Sequence, residues 1–270
     1  MKRSSRARIG ATATVGALSL ALITGCGGES KDTGGDSGSA DKGSSSTAAA
    51  KALSAAELGK LIIAKGDLDG FDVESADTGG KFAESKDKVK VVDTKCAPLA
   101  YVLTGFAPGA DESAYVNRMA TEKSTEPTPT GTSDEDLDAT MDNLQDILDS
   151  TMTIVSLSSY DGEGAEETLK SVSDAVSACA SGFTVSAPGE DTQKFTKVVA
   201  EKASGTGDES IAFAVSGPVE GDMTTVHGEV VRHGSTVAAY YSLSLAAMAG
   251  EKVAYDIPAE LIKAQAAKLK

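Results

Sequence analysis

The hydrophobic pattern of residues 51–270 changes along the chain from helical spacing to alternation. Apolar residues recur every three or four positions in five segments, which we predict as helices: 54–65, 97–104, 134–149, a segment that ends at Gly182, and 258–269. Alternating and β-branched segments predict strands at 88–93, 113–123, 151–160, 183–187, 194–203, 210–217, 222–232 and 236–247. Helices followed by consecutive strands are typical of an α+β fold. We therefore predict a twisted antiparallel sheet with helices packed on one face.

Local signals support the ends of these elements. Ser54 and Glu57 have the spacing of a capping box at the start of the first helix. Pro258 suits the first turn of the last helix. The segment "RHGST" at 232–236 predicts a tight turn between two strands. One face of the third helix is expected to be buried, and it carries Leu169, Val172, Val176 and Cys179.

The first 25 residues have the layout of a secretory signal. Four basic residues precede an apolar, small-residue stretch at about 9–23, which is short for crossing a bilayer. The next residues, Ile23-Thr24-Gly25-Cys26, resemble the lipobox of bacterial lipoproteins. The resemblance implies cleavage before Cys26 and acylation of its sulfur, and an ordinary cleavage site near a cysteine is the alternative. We expect residues 1–25 to be a signal peptide and Cys26 to carry the lipid.

Composition sets the expected location and excludes some partners. Residues 27–50 contain no Leu, Ile, Val, Met or aromatic residue, so we predict that 26–50 is a lipidated, disordered tether and 51–270 a single domain. Loss of residues 1–25 would leave 21 basic and 40 acidic side chains. This charge argues against binding nucleic acid. We expect the chain at the outer face of the cell membrane, held there through Cys26.

Two cysteines remain once Cys26 is assigned to lipid. Cys96 and Cys179 are an even pair, and in an oxidising compartment such a pair predicts a disulfide. A metal site built from these cysteines and the two histidines is the alternative. His227 and His233 lack zinc-type spacing relative to the cysteines, so we expect no metal ion there.

The acidic segment 134–149 has part of the pattern of a calcium loop. Asp134, Asp136 and Asp138 have EF-hand spacing, but Ala139 stands where that loop needs Gly and Gln145 where it needs Glu. We therefore predict an acidic amphipathic helix, whose apolar stripe is Leu137, Met141, Leu144 and Leu148.

Three sequence motifs that are common in enzyme active sites bear on whether the protein is a catalyst. G-x-S-x-G, the phosphate-binding G-x-x-x-x-G-K-[ST] loop and H-E-x-x-H are all absent from the sequence. We predict that the protein is not an enzyme and uses no cofactor.

The segments "GTGDESIAFAV" and "GEVVRHGSTVAAYYSL" resemble the PknH-like extracellular sensor domain family, which includes many actinobacterial lipoproteins. The resemblance implies an α+β fold with a surface cleft for a ligand. Asp208, Glu209 and Arg232 are the candidate ligand-binding residues it suggests. A structural interpretation is also open, in which the acids cap a turn with Gly234 at positive φ and Arg232 pairs with one of them.

Three functional hypotheses remain open. The first is a membrane-anchored sensor-like domain that binds a ligand or an envelope protein without catalysis. The second is a carrier of lipids or other hydrophobic molecules, which requires a large apolar cavity. The third is an interaction protein whose acidic helix at 134–149 contacts a basic partner.

Overall fold

The computed structural model describes residues 51–75, 83–123, 150–219 and 221–270. The predicted signal peptide, Cys26 and the tether all lie outside the described residues, and so does the predicted acidic helix at 134–149. These remain predictions from the sequence.

The described residues form two antiparallel sheets. Seven strands pair in the order β1-β3-β4-β10-β9-β8-β7, and three pair in the order β2-β5-β6. The strands are β1 (Phe71–Ser75), β2 (Lys90–Val91), β3 (Ala114–Glu122), β4 (Thr151–Ser159), β5 (Phe183–Ser186), β6 (Gln193–Phe195), β7 (Lys197–Glu201), β8 (Glu209–Val219), β9 (Asp222–His233) and β10 (Thr236–Ser244). The predicted α+β class with an antiparallel sheet is confirmed.

The helices lie on both faces of the seven-stranded sheet. They are α1 (Ala55–Leu61), α2 (Ala97–Leu103), α3 (Gly164–Ala178), α4 (Leu245–Met248) and α5 (Ala259–Lys268). One core contains residues of α2 and α3, and a second core contains residues of α1 and α5. This differs from the prediction that the helices pack on one face.

The central strand β10 explains why both faces need cover. Val237 and Ala239 belong to the core under α2 and α3, while Ala238 and Tyr240 belong to the core under α1 and α5. Successive side chains of a strand point to opposite faces, so a continuous apolar run makes both faces hydrophobic.

The disulfide between Cys96 and Cys179 is present, as predicted. Cys96 ends a short 3-10 helix before α2, and Cys179 directly follows α3, so the bond joins the two helices of one core. Both sulfurs are used in this bond, so the alternative metal site that needed them is wrong. The capping box of Ser54 and Glu57 at α1 is also confirmed.

The predicted strand 194–203 is two strands in different sheets. Its first part is β6, which pairs with β5 in the small sheet, and its second part is β7, which pairs with β8 in the large one. The amide of Thr196, between them, donates to the carbonyl of Ser216, and this contact marks the change of sheet. The small sheet therefore lies next to one face of the large sheet.

Candidate functional site

The residues of the family-like motifs meet at a turn. Oδ2 of Asp208 accepts a hydrogen bond of 2.7 Å from the Gly234 amide and lies 3.3 Å from the Arg232 guanidinium. Gly234 has φ of 59°, which suits a glycine in a tight hairpin turn. Glu209 begins β8 and stands opposite Arg232 on β9. The geometry matches the structural interpretation of these residues.

Arg232 is already surrounded by acidic groups. Besides Asp208, the carboxylate of Glu166 on α3 lies 3.7 Å from its guanidinium. Only 18% of the Arg232 side chain is exposed. Two carboxylates offset its charge, so an anionic ligand would have to displace them. A ligand-binding role for Asp208, Glu209 and Arg232 stays a prediction.

An open pocket of about 540 Å³ lies beside this turn. Asp208 and His233 line it on one side, and Lys263 and Lys270 line it on the other. Burial lowers the pKa of His233, and the nearby charge of Asp208 partly opposes that effect. Neither Arg232 nor Glu209 is among the lining residues, so the pocket contains one of the three candidate residues.

A second cavity, of about 570 Å³, lies on the same face of the large sheet as α2 and α3. Eleven of its sixteen lining residues are apolar or aromatic. They are Leu103, Met119, Met152, Ile154, Val185, Phe195, Val219, Val226, Tyr241, Leu243 and Met248. Its volume falls within the range of about 300–1,000 Å³ that is usual for small-molecule sites.

Strand register builds the floor of this cavity. Met119, Ile154 and Tyr241 stand directly opposite one another on β3, β4 and β10. In the next row, Met152 of β4 stands opposite Leu243 of β10. Directly opposite side chains point to the same face and contact each other, so two apolar rows cross the sheet.

The opposite wall comes from the small sheet and the end of α2. Val185 of β5 and Phe195 of β6 line this wall together with Leu103. β6 passes into β7 of the large sheet after Phe195, so the two sheets are joined at this point. We infer that the small sheet covers only part of the apolar floor and that the cavity is the part left open.

The cavity is uncharged over most of its surface. Burial raises the pKa of Tyr241 to about 12, so its hydroxyl stays protonated at neutral pH. The polar lining residues are few, namely Glu74, Ser75, Thr104, Gln193 and Thr224. An apolar pocket with a few polar groups suits a hydrophobic ligand that carries one or two polar atoms.

Sequence reasoning did not single out the cavity residues. Met119, Met152 and Tyr241 lie in strands that were predicted, at positions that alternation assigns to one face. Nothing in their spacing indicates that the facing element stands away from the sheet, because that depends on how β6 and β7 divide between two sheets.

No model of a known protein family matches the chain, and no curated protein matches it either. Among solved structures, it is similar to the extracellular domain of PknH from Mycobacterium tuberculosis, with a TM-score of 0.45 and 11% identity. The match covers 81% of this chain and 95% of that domain. Membership of the sensor-domain family is not shown.

None of the helices in the described ranges is both long enough and apolar enough to cross a bilayer.

Proposed function

We propose that this chain is a non-catalytic binding domain of a cell-envelope lipoprotein, and that its ligand is a small hydrophobic molecule held in the cavity of about 570 Å³. The apolar lining of that cavity carries the proposal. The lipobox-like segment that ends at Cys26 supports the anchored location at the outer face of the membrane.

The flexible side chains in the cavity support a ligand of variable shape. Met119, Met152 and Met248 line it, and methionine side chains adapt to irregular apolar surfaces. Met248 is 42% exposed, which places part of the lining in contact with solvent. A hydrophobic molecule could therefore enter from this side. The carrier hypothesis and the sensor-like hypothesis share this site and differ in what happens after binding.

A fluorescent probe tests the site. N-phenyl-1-naphthylamine is neutral and apolar, and its emission rises when it leaves water for an apolar pocket. We expect saturable binding to the purified protein. Met152→Glu should weaken that binding at least tenfold, because it puts a charge into the apolar floor.

Met223→Glu is the matched control. Met223 is 63% exposed and is not a lining residue of the cavity, so this variant should bind the probe as the wild type does. Equal weakening by both variants, or no saturable binding by the wild-type protein, would contradict the proposal. Far-ultraviolet circular dichroism confirms that each variant is folded.

A further inference from the structure

A cluster of metal-ligating side chains lies on the face of the large sheet opposite the cavity. Nδ1 of His227 on β9 is 2.9 Å from Oε2 of Glu201, the last residue of β7. Asp256, in the segment between α4 and α5, brings a second carboxylate. One ligand atom from each of the three residues lies within 4.8 Å of the other two.

The three side chains come from different parts of the fold, namely β7, β9 and the segment between α4 and α5. β7 and β9 both flank β8, which brings Glu201 and His227 together. The ring of Tyr255 packs edge-on against the imidazole, with centroids 4.9 Å apart. The Tyr255 hydroxyl donates to the carbonyl of Thr225, which ties the segment that carries Asp256 to β9.

A further carboxylate, that of Glu229, lies close to the cluster and raises its negative charge. Glu229 lies two residues after His227 on the same face of β9 and is only 4% exposed. Its carboxylate accepts a hydrogen bond of 3.0 Å from the Ser204 amide. In the described part of the chain, no lysine or arginine forms an ion pair with Glu201, Glu229 or Asp256. Among the residues that the structure describes, Lys252 lines the same surface pocket as His227 but does not pair with any of these carboxylates.

We propose that Glu201, His227 and Asp256 bind a divalent transition-metal ion of the zinc type. Zinc binds imidazole nitrogen and carboxylate oxygen at about 2.0–2.2 Å, which places the atoms of a tetrahedral set about 3.4 Å apart. The observed separations, from 2.9 Å to below 4.8 Å, reach that value through small side-chain movements. The imidazole favours zinc over calcium or magnesium, which prefer oxygen ligands alone.

The site is independent of the hydrophobic ligand. Val226 and Tyr241 face the cavity, whereas His227 points to the other side of the same sheet. The metal would join β7 and β9 to the segment before α5. It would stabilise the folded state without touching the cavity.

Zinc chloride titrated into the full chain by isothermal calorimetry tests the proposal. The lipidated protein is purified in detergent and treated with a chelator that is then removed. The proposed acylation of Cys26 and the Cys96–Cys179 disulfide leave no free thiol to compete for zinc. We expect one zinc per chain with a dissociation constant in the micromolar range or below. His227→Gln and Asp256→Asn should each weaken binding at least tenfold. Glu251→Gln removes an exposed carboxylate from the same connecting segment and should leave binding unchanged.

A nuclear magnetic resonance measurement on the wild-type protein tests the site without any substitution, so it does not depend on whether the variants fold. The chain has only two histidines, so a long-range ¹H–¹⁵N spectrum reports both imidazoles separately. Zinc should shift the His227 ring signals and leave those of His233 in place. The proposal is wrong if the wild type shows no zinc heat, if His233 shifts instead of His227, or if calcium binds more tightly than zinc.

Discussion

The carboxylate of Asp208 accepts a hydrogen bond of 2.7 Å from the backbone amide of Gly234 and thereby joins the start of β8 to the turn between β9 and β10. The amide of Asp208 in turn donates to the carbonyl of Arg232 at 2.8 Å. The same carboxylate also accepts a hydrogen bond of 3.3 Å from the Arg232 guanidinium. Three contacts therefore fix the segment before β8 against the hairpin, and two of them depend on the Asp208 side chain.

Asp208→Ala should lower the free energy of unfolding by about 0.5–1.5 kcal/mol, because it removes the hydrogen bond to the exposed Gly234 amide and the contact with the Arg232 guanidinium. Asp208→Asn keeps an acceptor oxygen and should cost less. Urea denaturation measures both values. Asp174→Ala, which removes an exposed carboxylate from α3, is the control and should change the value by less than about 0.5 kcal/mol. Wild-type stability in Asp208→Ala would show that the bond does not hold the turn.

Gln265 is the buried polar residue that joins the two helices of the second core. Its side-chain oxygen accepts from the Ile63 amide at 2.8 Å, and its amide group donates to the Leu61 carbonyl at 2.9 Å. Gln265→Ala leaves both backbone groups without that partner and creates a cavity, so we expect a loss of about 2–4 kcal/mol. The matched control on α5 is Lys263→Ala, at an exposed position. Equal urea midpoints for Gln265→Ala and Lys263→Ala would show that the Gln265 side chain does not stabilise the contact between the two helices.

The disulfide closes a long loop, since Cys96 and Cys179 are 83 positions apart in the sequence. The chain-entropy model gives about 4–5 kcal/mol as an upper figure for a loop of this length. The double variant Cys96→Ala and Cys179→Ala should therefore lose about 2–5 kcal/mol. Reductant should lower the stability of the wild type to a similar level and leave the double variant unchanged. A wild type insensitive to reductant would mean that the bond contributes little.

His233 makes stability depend on pH in a defined direction. Burial lowers its pKa in the folded state, and its Nε2 is buried without a hydrogen-bond partner in the described ranges. Above about pH 6.5, the imidazole is neutral in both the folded and the unfolded state, so the free energy of unfolding has its full value. As pH falls below that value, the unfolded chain is protonated first, because the pKa of His233 is lower in the folded state. The free energy of unfolding therefore decreases. Unfolding curves from pH 7.5 to 5.0 should show a steeper loss for the wild type than for His233→Gln. Parallel pH profiles for the two proteins would contradict this assignment.

The sequence predicts the local elements of this fold because their signals are local. The capping box at Ser54, the turn at Gly234 and the cysteine pair each depend on a few residues and general chemistry. The two helices of the second face, 54–65 and 258–269, were predicted as helices, but their packing on a second face of the sheet was not. Their presence follows from β10, where Ala238 and Tyr240 bury against α1 and α5 while their neighbours bury on the other side.

The candidate sites depend on contacts between distant segments. Met119, Ile154 and Tyr241 form one row only when β3, β4 and β10 are aligned in register. Asp256 reaches His227 through an irregular segment that has no periodicity to interpret. A hydrophobic pattern identifies which face of a strand is apolar. It does not show whether another element packs on that face, and a cavity forms where none does.

Native mass spectrometry of the protein purified from its own host, before and after organic extraction, tests the central claim most directly. A hydrophobic ligand in the cavity predicts a discrete added mass that extraction removes, and Met152→Glu should reduce the fraction of protein that carries it. Met223→Glu should retain the added mass. The bare chain mass before and after extraction would contradict a resident hydrophobic ligand, and an added mass that both variants keep equally would show that the ligand lies elsewhere.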